Sequence, residues 1–305
     1  MARVLVTGAT GTIGREVVDA LLARGDQPVA LSRSRVRALT SLPEGTEVHA
    51  WAAPTETPPP AAALAGADGV IHLLGESISQ RWTGKATRRI RTSRLLPTLM
   101  LVQALRELPE DERPRVLVSQ SATGYYGPSD DRELDEQSPA GSDFLAHVVN
   151  DWEEEARTAE DLLRVVLTRT GVVLSPSGGA LAKMLPFFKA GIGGPVAGGR
   201  QYLPWIHIAD VVAGMLFCLD TEAASGPVNL TAPHPVQNRE FSRVLGQVLD
   251  RPARLPVPGF ALKLLYGEMA MIVTTGQRAV PRRLQELGFS FQHPDLEEAL
   301  RQVLR

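Results

Sequence analysis

Residues 3–25 constrain this chain more than any other stretch. Arg3-Val4-Leu5-Val6-Thr7 is β-branched and aliphatic without helical period, and it reads as a short buried strand. Gly8-Ala9-Thr10-Gly11-Thr12-Ile13-Gly14 follows at once. Ile13, Val17, Val18, Leu21 and Leu22 then recur at helical spacing until Gly25-Asp26 stops the run. A strand therefore turns on glycines into an amphipathic helix. Glycine there permits a tight turn, close approach of backbone to a phosphate, and tight packing of helix on strand. The helix start adds unpaired N–H groups and a partial positive charge. The pattern predicts a pyrophosphate site on Gly8, Thr10, Gly11, Thr12, Ile13 and Gly14.

Pro28-Val29-Ala30-Leu31 reads as the second strand, and the residues after it bear on the ligand. In a dinucleotide fold, an acidic residue there binds the ribose hydroxyls of NAD, whereas arginine accommodates the extra phosphate of NADP. Here the chain runs Ser32-Arg33-Ser34-Arg35, with no carboxylate. A guanidinium pairs with phosphate oxygens as a fork, and serine hydroxyls add donors, so NADP(H) is the expected cofactor. The competing reading makes Arg33 and Arg35 plain solvated charges.

Further strands are predicted at Glu47 to Trp51, Asp68 to Leu74, Val116 to Val118, Val165 to Leu174 and Pro227 to Thr231, with helical runs interspersed. This alternation predicts an α/β fold: a Rossmann-like, doubly wound parallel sheet with a smaller mixed C-terminal substrate-side domain. Residues 1–174 and 206–231 are assigned to the cofactor domain, and 175–205 with 232–305 to the substrate side. Leu74-Gly75-Glu76 ends the fourth predicted strand, where the ribose or nicotinamide would pass. His72 lies inside an apolar run and reads as a satisfied core histidine. Arg88, Arg89, Arg91 and Arg94 crowd a helix from about Lys85 to Leu105; they either reach a phosphate or form a solvated basic face. Gly259 to Val273 reads as one apolar helix, and a last helix runs through Ala299 and Leu304.

A chain of 305 residues, 44% of them hydrophobic, can bury a large core. The net charge of −2 argues against a general nucleic-acid or membrane surface. The single cysteine, Cys218, sits in an apolar run and reads as a core residue, which fits a reducing cytoplasm. The chain opens on a strand rather than a signal peptide, no apolar run is long enough to span a bilayer, and no metal site is expected.

The glycine spacing Thr7-Gly8-x-x-Gly11-x-x-Gly14 resembles the extended branch of the short-chain dehydrogenase/reductases. Ser119-Gln120-Ser121-Ala122-Thr123-Gly124-Tyr125-Tyr126-Gly127 resembles the serine-rich strand end and Tyr-Gly of that branch. Other segments are similar to one atypical subgroup, the sugar-nucleotide-epimerase-like family. They include Leu74-Gly75-Glu76, Arg81-Trp82-Thr83, Ser93-Arg94, Arg169 to Leu174, Gly178 to Leu181 and Trp205-Ile206-His207. Gly288-Phe289 and the terminal helix are similar to that subgroup's added C-terminal domain of unknown function.

The resemblance implies that Ser121, then Thr123, holds the reacting oxygen. It places Arg81, Trp82, Arg200, Trp205 and His207 on the substrate side. Active members carry Tyr-x-x-x-Lys on the next helix, one turn apart on one face. Aligned on Glu153, this chain has Leu145 and Val149 there; shifted by one, Phe144 and Val148. Tyr125, Tyr126 and His207 remain as candidate proton carriers, Tyr126 with Ser121 and Thr123 forming the expected catalytic set. The function implied is an NADP(H)-binding epimerase, dehydratase or oxidoreductase acting on a small molecule such as a nucleotide sugar, with a homodimer left open. The alternative is a non-enzymatic NADP(H)-binding redox sensor or partner module. If Arg33 reads the extra phosphate, Arg33→Ala lowers the NADPH-over-NADH affinity ratio roughly tenfold, the loss of one charge-assisted bond; titration of both cofactors measures it.

Overall fold

The computed structural model describes all 305 residues. Strand β1 (Arg3–Thr7) leads through the glycine loop into α1 (Thr12–Ala23). Then come β2 (Gln27–Ser32), α2 (Arg35–Ser41), β3 (Glu47–Ala50), α3 (Ala61–Leu64), β4 (Gly69–His72) and the long α4 (Gly84–Glu107). β5 (Val116–Ala122), β6 (Glu133–Leu134), α5 (Phe144–Arg157), β7 (Arg164–Thr170) and β8 (Val172–Leu174) follow. The rest comprises α6 (Gly179–Lys189), β9 (Tyr202–Leu203), β10 (Trp205–His207), α7 (Ile208–Asp220), β11 (Gly226–Leu230), β12 (Val236–Gln237) and α8 (Asn238–Val248). Short α9 (Gly259–Tyr266), α10 (Met271–Thr274), β13 (Arg278–Ala279), α11 (Arg282–Glu286) and α12 (Leu296–Val303) close the chain.

Seven strands form one sheet in the order β11-β7-β5-β4-β1-β2-β3, every pair parallel. The order reverses between β1 and β4, so a crevice opens at their carboxyl ends, where the glycine loop lies. Both faces are covered, as a parallel sheet requires. Val17, Val18 and Leu21 of α1 and Met215 of α7 pack on one face. Leu101 and Leu105 of α4 and Ala156 of α5 pack on the other. His72 is fully buried between Thr7 Oγ1 at 2.8 Å and Thr98 Oγ1 at 3.1 Å, and burial pushes it down to about 4. It is a neutral core residue, as its apolar setting predicts. Cys218 is equally buried. No helix is long and apolar enough to cross a membrane.

A third apolar cluster, including Leu174, Leu181, Trp205, Phe241 and Leu300, lies under the second lobe. The run from Val165 to Leu174 divides at Gly171 into β7 and β8, and Gly171 lies so close to Pro204 that a Cβ there would come within 2.0 Å of its carbonyl oxygen. β8 thereby leaves the main sheet and pairs with β10. The chain crosses between lobes here along a stitched seam. Gly171 N–H donates to Leu230 O, Val172 N–H to Pro204 O, and Ala232 N–H to Trp205 O. The predicted helix from Gly259 to Val273 is also corrected. It ends as α9 at Tyr266, because Gly267 turns with φ +64°, and a single-turn 3-10 segment and α10 replace the rest. α9 buries no side chain, and Phe260 and Leu264 stand exposed on it.

The three strands at one side of the sheet are tied by charge. Arg3 on β1 donates to both oxygens of Glu47 on β3, and Gln27 on β2 donates to the same carboxylate at 3.0 Å. Arg3 holds the Glu47 carboxyl down from 4.5 to about 2. A depressed acid stabilises the fold above its unfolded value and ceases to as pH falls through its folded value. The unfolding midpoint is therefore expected to fall from about pH 4.5 towards pH 2, modestly because the pair is partly exposed. Glu47→Gln is expected to flatten that limb in acid denaturation monitored by circular dichroism.

Candidate functional site

The glycine loop is built as a phosphate cradle. Gly8 adopts φ +67°, and a Cβ there would meet the Leu73 carbonyl oxygen at 2.8 Å. A Cβ on Gly14 would meet the Gly8 carbonyl oxygen at 2.3 Å, so α1 can approach β1 only with glycine in place. Gly11 caps α1 without any side chain, and no acidic residue occupies its first turn. The helix end is thus left positive and open to an anion. Thr12 presses its side chain towards Gly178, just before α6. Ile13 turns inward and packs on the core. At the end of β2, Ser34 caps α2 and Ser32 bonds to the Ser34 carbonyl, while Arg33 stands exposed between them. Arg35 is held by the Val48 carbonyl.

A cleft of about 310 Å³ continues from the crevice at the end of β4. Aliphatic side chains contribute much of its wall: Leu73, Leu74 and Ile78, and Leu145, Val148 and Val149 of α5. Met271, Ile272 and Gln277 approach from the C-terminal lobe. Its polar side chains include Arg94, Gln120, Ser121, Thr123, Asp143, Thr170, Tyr202 and Thr275. α5 carries no tyrosine and no lysine, and the positions facing the cleft one turn apart are Leu145 and Val149. Phe144 instead packs edge-on against Trp82 at 5.1 Å. Of the two registers read from the sequence, Leu145 and Val149 both line the cleft, whereas of Phe144 and Val148 only Val148 does.

Behind the cleft lies a buried ion pair. Arg169 of β7 reaches Glu153 of α5 with two bonds of 2.8 Å, and both side chains are almost wholly buried. Ser121 Oγ donates to the same carboxylate at 2.6 Å. Burial alone would lower the Arg169 pKa, but the bonds from Glu153 outweigh it and hold the guanidinium above its ordinary value. Tyr125 lies flat under that guanidinium, its ring centre 3.4 Å away. Tyr126 donates to Asn229 Oδ1 at 2.7 Å and accepts from Arg169 at 3.1 Å. Burial pushes its phenol up to about 12.

These contacts correct several expectations. Tyr126 and Tyr125 do not line the cleft; one bonds to the ion-pair network and the other stacks on it. Ser121 touches the cleft, but its hydrogen is committed to Glu153. Thr123 lines the cleft with its hydroxyl unbonded to protein. Trp205 is fully buried and donates to the His234 carbonyl, as part of the second lobe's core. His207 caps α7 by accepting from Ala209 N–H, contacts Gln302 at 2.7 Å and stacks on His293. Burial lowers its pKa, and it serves packing rather than the cleft. Asp210 of α7 receives the N–H groups of Gln292 and His293. Arg81 and Arg200 are exposed outside the cleft wall, and Trp82 supports it only indirectly by donating to the Ile78 carbonyl. Leu74 and Gly75 do line the cleft, whereas the Glu76 carboxylate turns to Gln80 and Arg89. Tyr202, Met271 and Gln277 were not legible as site residues, because they come from far along the chain with no motif of their own.

The profile of the NAD dependent epimerase/dehydratase family matches residues 4–231. The chain belongs to this family. A domain of unknown function, DUF1731, matches residues 257–303. Among relatives, the chloroplastic epimerase family protein SDR39U1 homolog of Arabidopsis thaliana is 41% identical, over 99% of this chain and 86% of its own. The human epimerase family protein SDR39U1, crystallised with NADPH, superposes with a TM-score of 0.88 at 33% identity, covering 99% of this chain and 98% of its own. The nucleoside-diphosphate sugar epimerase of Corynebacterium glutamicum gives 0.77 at 30% identity, covering 99% of this chain and 58% of its own. Within the family fold, the ion pair orients α5 and hence the cleft wall. Glu153→Gln leaves Arg169 buried without a counter-charge and is expected to cost about 3–5 kcal/mol, read from the shift in urea midpoint at constant slope.

Proposed function

We propose that this protein binds NADP(H) on the glycine loop and carries out a redox step on a small molecule in the adjoining cleft. The observation that carries the proposal is the cradle itself: a loop closed by Gly8 and Gly14, an uncapped helix start at Gly11, and a cleft whose wall begins at Leu73, against Gly8. The human relative bound to NADPH supports the choice of cofactor, as do Arg33, exposed after β2, and the absence of a carboxylate in Ser32-Arg33-Ser34-Arg35. The named activity of the Corynebacterium relative supports a nucleotide sugar as one substrate class. On this proposal residues 1–174 and 206–231 carry the cofactor, while 175–205 and 232–305 close over the substrate.

When bound, the nicotinamide supplies or takes the hydride. The protein positions and polarises. Leu74 and Gly75 border the cofactor's passage, and the aliphatic faces of Leu145 and Val149 exclude water from the reacting carbon. Thr123 holds the reacting oxygen, because its hydroxyl alone at the end of β5 is uncommitted. The family's usual Tyr-x-x-x-Lys relay is lacking, so proton exchange falls to Tyr202, the one phenol in the cleft wall. The guanidinium of Arg278 lies 5.3 Å over its ring.

Saturating NADPH is expected to raise stability by about 2.7 kcal/mol at a hundredfold excess over Kd, seen as a melting shift absent with NADH at equal concentration. Reduction is checked by nicotinamide absorbance, and epimerisation by product analysis because the cofactor returns unchanged. Thr123→Val and Tyr202→Phe are each expected to lower turnover about 100-fold with NADPH affinity kept. A second reading, a redox sensor or partner module without turnover, is favoured by the aliphatic pair at Leu145 and Val149. It predicts the same melting shift with no product on any carbonyl or nucleotide-sugar panel.

A further inference from the structure

Arg94 is a cation with too few partners. It projects from α4 into the cleft and is the only lysine or arginine in the cleft wall. A guanidinium carries five N–H donors, yet its one bond to protein runs from Nη1 to the Ile90 carbonyl at 2.9 Å. No carboxylate pairs with it: Glu76, whose charge acts on it, is engaged by Arg89 at 3.3 Å and Gln80 at 3.2 Å. Its neighbours on α4 are accounted for otherwise, since Arg89 bonds Glu76 and Arg91 bonds Asp151 on exposed faces.

The position of Arg94 is built rather than loose. The guanidinium lies 5.3 Å over the Trp152 ring, and Trp152 is itself pinned by a bond to Thr98 Oγ1 at 3.1 Å. On another side it presses on Gly75, where a Cβ would come within 3.2 Å of both Cζ and Nη2. Withdrawal from water pulls its pKa down to about 10, which measures the unfavourable setting of an unpaired charge. Charges in such settings are stable when an opposite charge completes them.

We propose that the Arg94 guanidinium is the anchor for an anionic oxygen group, phosphate or carboxylate, of a molecule bound in the cleft. The group meets the fork presented between Gly75 and Trp152, and the rest of the molecule lies on the aliphatic walls. The anion has two sources, the cofactor's pyrophosphate or the substrate's own acidic group. With one cation in the wall, the cleft takes one such group at this depth. This inference rests on the cofactor reading above, because it takes the cleft to be the extension of the NADP(H) site.

The test titrates NADPH into wild type, Arg94→Met, Arg94→Lys and Gly75→Ala, and then titrates pyruvate and UDP-glucose into each NADPH-loaded protein. Arg94→Lys keeps the charge but loses the fork; Gly75→Ala keeps the arginine but displaces it. A loss of NADPH affinity of about tenfold or more in Arg94→Met, partly recovered in Arg94→Lys, supports the anchor with the pyrophosphate as its partner. Unchanged NADPH affinity with a comparable loss for pyruvate or UDP-glucose, partly recovered in Arg94→Lys, supports it with a substrate anion. Wild-type affinity for all three molecules in Arg94→Met, Arg94→Lys and Gly75→Ala overturns it. Failure of wild type itself to bind NADPH is a different outcome: it overturns the cofactor reading and, with it, this inference. Should Arg94→Met not fold by circular dichroism, Arg94→Lys and Gly75→Ala decide by the same comparison.

Discussion

The pair between Arg169 and Glu153 is the contact on which the site's geometry depends. It joins β7 to α5 through two parallel bonds, recruits Ser121 of β5, and through Tyr126 reaches Asn229 of β11. Burying two charges costs several kcal/mol apiece, and their mutual attraction offsets this only when the geometry is good and the remaining lone pairs are filled. Here both carboxylate oxygens are bonded, and the Glu136 carbonyl accepts a further guanidinium hydrogen. The pair contributes orientation more than net stability: one rotation of α5 satisfies Glu153, and that rotation turns Leu145 and Val149 to the cleft.

That orientation explains why the cleft reads as two different things. The glycine loop keeps every demand of a phosphate site, down to the clashes that any Cβ would cause at Gly8 and Gly14. The wall that α5 contributes presents Leu145 and Val149, aliphatic side chains that carry no proton. Chemistry in such a cleft depends on polar groups brought from other elements: a threonine at the end of β5, an arginine from α4, a tyrosine from β9. Polar and apolar side chains share its wall, as in small-molecule sites generally.

Much of the fold was legible because parallel strands are short apolar runs and the loop between β1 and α1 has few alternatives. His72 was legible as a core residue from the apolar residues around it. Trp205 and His207 misled, since a motif beside a cleft does not tell which way its side chains point; both turned into the packing of the second lobe. The partners of Ser121 and Tyr126 were hidden for another reason. Hydroxyls at a strand end look available until the buried carboxylate and guanidinium that bind them are located, and those come from residues far away in sequence. Gly259 to Val273 had helical apolar period, but Gly267 carries the positive φ that breaks it. The contributions of Tyr202 and Gln277 depend on tertiary approach alone.

The seam at Gly171 has a mechanical consequence. Three passages of the chain between the lobes lie side by side there, each held to the next by a backbone hydrogen bond. Swinging one lobe against the other at that line would shear all of them together, and the close approach of Gly171 to Pro204 leaves no slack to absorb the motion. The seam therefore behaves as a weld rather than a pivot.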